Sequence, residues 1–143
     1  MEKSDTGQPL DELIRTTLHS VRTIAVVGAS DKAHRASYQV MQFLQRKGFR
    51  CVPVNPKLAG RELLGEKAYA GLADVPFAID MVDVFRNSGD AGPVADEAVA
   101  VGARVVWMQL GVVNEAAARR AREAGLTVIM DRCPAIEWGR LAL

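Results

Sequence analysis

Histidine and cysteine are scarce in this chain, two of each among 143 residues. Cys51 and Cys133 lack zinc-ligand spacing, and two thiols make no disulfide framework, so both read as reduced cysteines. His19 falls on a helix and His34 in a loop, which leaves no evident cysteine–histidine pair for nucleophilic catalysis. Neither sign of charge dominates: 18 basic against 17 acidic residues give a net charge of +1. Bulk attraction to nucleic acid or to an anionic membrane is thereby excluded, and any basic site must be local. No apolar run approaches the length of a membrane span. The polar stretch Met1–Pro9 has neither the apolar core nor the small-residue cleavage site of a signal peptide, so the expected location is the cytoplasm.

What is present is ordinary globular material, 49% hydrophobic and 24% charged, read as one domain over residues 1–143. Pro9–Leu18 carries Leu10, Leu13, Ile14 and Leu18 at helical spacing, an amphipathic N-terminal helix packing on that domain within residues 1–20. Continuous apolar runs predict strands at Ile24–Gly28, Cys51–Asn55, Asp80–Phe85, Arg104–Leu110 and Leu126–Met130. Between them the spacing predicts helices at Ser37–Lys47, Pro93–Val101 and Glu115–Ala124, the last capped by Asn114. Each of these helices stops at a glycine, Gly48, Gly102 or Gly125. Leu58–Pro76 reads as irregular with a short turn near Leu72–Val75, and Asp131–Leu143 shows no clear element. Strands alternating with helices predict an α/β fold, a Rossmann-like doubly wound parallel five-stranded sheet in the order 3-2-1-4-5. Its switch point then lies between the first and fourth strands, and ligands sit beyond the carboxyl ends of the strands.

The strand tips therefore carry the functional reading. After the first strand comes Gly28-Ala29-Ser30-Asp31-Lys32-Ala33-His34-Arg35, which keeps only the first glycine of the dinucleotide fingerprint G-x-G-x-x-G. The Ser30 hydroxyl, the Lys32 and Arg35 charges and the N–H groups of the following helix all suit a pyrophosphate. After the second strand comes Asn55-Pro56-Lys57, where an NAD site has an acid for the ribose hydroxyls. Lys57 is either a solvated loop lysine or the partner of a phosphorylated ribose, which points to NADP or coenzyme A. After the third strand, Phe85 lies against a base or in the core, Arg86 binds phosphate or stacks, and Asn87 or Ser88 caps a helix. Trp107 and Met108 alternate across the fourth strand and read as core, and Gly111 permits a close backbone approach. Cys133, beside Asp131, Arg132 and Glu137, reads as structural.

These tips together resemble the coenzyme A-binding domain family, in its small stand-alone bacterial and archaeal form. The resemblance rests on Val27–Lys32, Arg35–Tyr38, Val52–Lys57, Leu72–Pro76, Asp80–Arg86, Trp107–Gly111 and Asp131–Pro134, in order over nearly the whole chain beyond residue 20. The family is similar to the N-terminal domain of the succinyl-CoA synthetase α subunit, whose phosphohistidine domain has no counterpart here. The resemblance thus implies CoA binding without ligase activity. It assigns the phosphates to Gly28, Ser30, Asp31 and Lys32, and the full cofactor set adds Ala29, Arg35, Ser37, Tyr38, Lys57, Val84, Phe85, Arg86, Met108, Gln109 and Leu110. Ala33 stands where many relatives have proline, which loosens the turn without removing a ligand.

The expected function is binding of coenzyme A or an acyl-CoA by a monomer or homodimer, with no catalytic residue, metal, nucleic acid or membrane involved. Three alternatives stand beside it. One is a small NADP-dependent oxidoreductase, for which little room remains. Another is an acyl-CoA-handling enzyme using Cys133. The last is a regulatory module whose partner surface CoA occupancy alters.

Overall fold

The structure, a computed structural model, describes residues 8–143; the expectations for Met1–Gly7 lie outside it. The chain runs α1 (Gln8–Ser20), β1 (Thr23–Val27), α2 (Ala36–Arg46), β2 (Arg50–Val54), β3 (Glu62–Leu63), β4 (Glu66–Lys67), β5 (Met81–Val84), α3 (Ser88–Ala100), β6 (Val105–Met108), α4 (Glu115–Glu123), β7 (Thr127–Ile129) and α5 (Pro134–Arg140). Five strands form one parallel sheet in the order β2-β1-β5-β6-β7. Its interior strands are apolar except for Thr23 at the start of β1 and Asp83 in β5, because helices cover both faces. On one face Ile24, Val26, Met81, Trp107 and Ile129 meet Ile14 and Leu18 of α1 and Val40, Met41 and Leu44 of α2. On the other, Ala25, Val82, Val84, Val106 and Met108 meet the alanine-rich sides of α3 and α4. Small side chains there let both helices approach the sheet closely.

The Rossmann-like doubly wound class is as expected, and the place of the third strand is what differs. Counted along the chain, the five strands run second, first, third, fourth, fifth, so β5 lies beside β1 rather than outside β2. Pro53 explains why. The Arg50 N–H donates to the Arg22 carbonyl and Val54 accepts from Gly28 N–H, so Pro53 turns its backbone away from β1. Lacking an N–H, proline cannot serve a second ladder, which confines β2 to an edge. The switch point accordingly falls between β1 and β5.

Three other boundaries depart from expectation. α3 begins at Ser88, with Pro93 inside it, because the Asn87 side chain accepts the Asp90 N–H and starts the helix early. The tail forms α5, whose first residue is Pro134, a position where the absent N–H costs nothing. The irregular span after β2 contains the β3–β4 hairpin and a 3-10 turn at Pro56–Leu58, in addition to the expected short turn, which is a 3-10 helix at Leu72–Asp74.

Candidate functional site

The β1 turn is held from both sides. Gly28 has φ of 89°, and a Cβ there would collide with the Phe85 carbonyl at the tip of β5. Only glycine brings the two strand ends this close. Ser30 Oγ accepts the Lys32 N–H at 3.0 Å, closing a local turn. Asn55 then ties this turn to the next: its Nδ2 donates to the Ala29 carbonyl at 2.8 Å, and its Oδ1 accepts the Lys57 N–H at 2.9 Å. The two loops that would meet a nucleotide are thus fixed to each other.

Between them lies a cavity of about 450 Å³ lined by Gly28, Ala29, Ser30, Asp31, Lys32, Arg35, Ala36, Ser37, Asn55, Lys57, Leu58 and Phe85. α2 begins at its wall. Arg35 occupies the N-cap position and makes no side-chain capping bond. The first N–H groups of a helix have no partner within it, so this end offers donors and a positive dipole to the cavity. Lys32, Arg35 and Lys57 stand around it without an ion-pair partner among the described residues. Asp31, the one carboxylate in the lining, is engaged by Arg61 at 3.1 Å. The cavity is therefore a cationic, donor-rich pocket suited to a phosphorylated ligand.

On the other face of the switch point, a cavity of about 240 Å³ is lined by Val27, Val54, Pro56, Arg86 and Asp90 among others. Residues 27 and 28, 56 and 57, and 85 and 86 each send neighbours to opposite sides of the same seam.

Nine of the expected cofactor residues line the larger cavity: Gly28, Ala29, Ser30, Asp31, Lys32, Arg35, Ser37, Lys57 and Phe85. The other six do not. Tyr38 packs half-buried against the α1–α2 core. Val84 and Met108 are sealed in the opposite core, so only their main chain could meet a ligand. Arg86 turns away into the smaller cavity and bonds Asp90 at 2.9 Å. Gln109 is buried beside them. Leu110 is exposed and lines a separate cavity of about 420 Å³ with Asp11, Asp131, Arg132, Glu137 and Arg140. There Arg140 is bonded by both Asp11 and Glu137, and the Arg140 hydrogen bond holds the Asp11 carboxyl below its usual range.

Asn55, Ala36 and Leu58 belong to the larger lining and were missed from the sequence. For Asn55 a signal existed, since an asparagine before proline at a strand tip commonly closes an Asx turn. Cys133 is buried in the core and does not line the larger cavity. Among the described residues no cluster of His, Cys, Asp and Glu fits a metal, and no helix is long and apolar enough to cross a membrane.

Comparison with known proteins converges with this geometry. A family model described as CoA binding domain matches residues 22–139. The protein YneT of Bacillus subtilis is 42% identical over 120 residues, covering 84% of this chain and 87% of that one. A solved structure of a protein from Pyrococcus horikoshii shares 38% identity over the whole of both chains, with a TM-score of 0.89. The dinucleotide-forming acetyl-coenzyme A synthetase 1 of Ca. Korarchaeum cryptofilum is 28% identical with a TM-score of 0.68; the match covers 82% of this chain and 27% of that enzyme.

Proposed function

The chain belongs to the CoA-binding domain family, and from that premise we propose that it binds coenzyme A, or an acyl-CoA, along the carboxyl edge of its sheet. It acts in the cytoplasm. The observation that carries the reading is the uncapped start of α2 among three cations with no acidic partner in the described residues. Leaving several donors and like charges together is unfavourable unless an anion joins them. The pyrophosphate sits on the Gly28–Lys32 turn and the first N–H groups of α2. Lys57 takes the 3′-phosphate of the ribose. Phe85 supplies an apolar wall, and the pantetheine arm continues toward the tip of β6. The comparison with the acetyl-CoA synthetase supports CoA as the ligand class and leaves the acyl group open.

Titration calorimetry with CoA, dephospho-CoA and NADP tests this. A charge-assisted contact of about 1.5–3 kcal/mol predicts that losing the 3′-phosphate weakens binding about 10- to 150-fold. Equal affinity for CoA and dephospho-CoA removes the role given to Lys57. Tighter binding of NADP than of CoA overturns the assignment itself.

A further inference from the structure

Asp83 lies in the middle of the sheet with no exposed surface, and neither carboxyl oxygen has a hydrogen-bond partner. Val26 and Trp107 flank it in register, and it points, like Met81 two residues earlier, to the face covered by α1 and α2. An ionised carboxylate without a partner is far too costly at such a place. Burial pushes its pKa well above the ordinary carboxylate value. Burial acts the same way on the neighbouring thiol of Cys51, pushing it up to about 12. A neutral Asp83 carries an O–H that needs an acceptor.

The missing acceptor is one strand away. Gln109 follows Trp107 by two residues and its N–H donates to the Val84 carbonyl at 3.3 Å, so the pairing of β5 with β6 continues to it. It therefore shares the face of Asp83, as its diagonal neighbour, at a spacing two such side chains can span. Its Oε1 is buried and has no donor. Its Nε2 is not among the sealed, unpartnered atoms and makes no hydrogen bond within the described residues, and the residue keeps 7% of its surface exposed. Phe85, a wall of the larger cavity, and Gln109 each follow the last pair of that ladder, Val84 with Met108, by one residue.

We propose that Asp83 is a neutral acid that donates its hydroxyl to Oε1 of Gln109 and so fixes the Gln109 amide with Nε2 toward the cleft, where it donates to an amide carbonyl of the ligand's pantetheine arm. Asp83 is then a positioning residue that never touches the ligand. The second half of this statement rests on the CoA reading; the first does not.

The pairing is tested on ligand-free protein. With aspartate labelled at Cγ with carbon-13, the Asp83 resonance stays at its protonated position through neutral pH. In Gln109→Met its titration moves to lower pH, because the acceptor of the neutral form is gone. A midpoint that rises or stays in place overturns the pairing, since removing an amide that donates to a carboxylate moves it upward. An unfolding cycle with Asp83→Ala, Gln109→Met and the double variant shows coupling of about fivefold or more in the unfolding constant. Additivity within about twofold overturns it. For the ligand, Asp83→Asn keeps a donor for Oε1 and retains CoA affinity within about twofold, whereas Asp83→Ala loses about tenfold. Equal losses in Asn and Ala overturn the positioning role. If the unaltered protein binds no CoA, the functional reading fails alone, and the titration and the cycle still decide the pairing.

Discussion

Three crossover helices start at the carboxyl edge of this sheet, and they start differently. α3 and α4 open on Asn87 and Asn114, whose side chains accept the N–H groups of Asp90 and Ala117. Asn114 also donates to the Ser88 carbonyl, joining the two helix starts. At the amino edge the donors are satisfied as well, with the Asp80 carboxylate accepting from Arg22 and Thr23 N–H at 2.9 and 3.0 Å. α2 opens on Arg35 and has no side-chain cap. Of these three crossover helices, two close their first donors with an asparagine cap and one leaves them open beside the cationic cavity. The difference separates a helix start that completes itself from one whose donors face a cavity.

The largest way to break the contrast is at the turn that creates it. Gly28→Ala sets a Cβ against the Phe85 carbonyl at a positive φ. Overpacking and backbone strain together predict a loss of roughly 2–4 kcal/mol in chemical denaturation. A loss under about 1 kcal/mol shows that the two strand tips can separate freely. Next comes a swap of caps. Asn114→Ala removes the α4 cap and costs about 1–2 kcal/mol in unfolding free energy, with CoA affinity unchanged by calorimetry. Arg35→Asn gives α2 a cap, stabilises the free protein by about 1 kcal/mol, and weakens CoA binding. Tighter binding in Arg35→Asn contradicts a start left open for a ligand.

The smallest effect is at Asp80. Burial raises its pKa, but the N–H groups of Thr23 and Arg22, with Arg104, outweigh that and hold it below 3.8. A lowered folded-state pKa contributes stability above the unfolded value and loses it as pH falls through the folded one. Asp80→Asn is therefore less stable than the parent by under about 1 kcal/mol at neutral pH, and the gap narrows below about pH 4. Unfolding curves with the same gap at pH 3 and pH 7 exclude this clamp.

Much of the fold can be read from the sequence because its strands are uniform apolar runs and three helices end at glycines. The misplaced third strand was legible too, since Pro53 forbids a central position for its strand. α3 resisted because Gly89, Gly92 and Pro93 argue against a helix locally, and burial of Ala91, Ala95 and Ala98 against the sheet overrides them. At the cavity, residues contiguous with Gly28 were found readily. Asn55 is harder to read because its part is to join two loops far apart in sequence. Asp83 was invisible as anything but one polar residue in an apolar run, because only packing reveals that nothing pairs with it.

Pro53 has a further consequence for how the molecule meets its own copies. A bare strand edge is a template on which another chain can add itself. On β2 the outward donor is missing at Pro53, its carbonyl already accepts from Tyr69, and Asn55 N–H is given to the Tyr69 carbonyl. That side is closed to strand addition at its carboxyl end. The exposed ladder left at the opposite edge is β7, only Thr127–Ile129 long. A hydrophobic parallel sheet has thereby been made a poor seed for aggregation at one border by an amino acid that cannot donate and at the other by brevity.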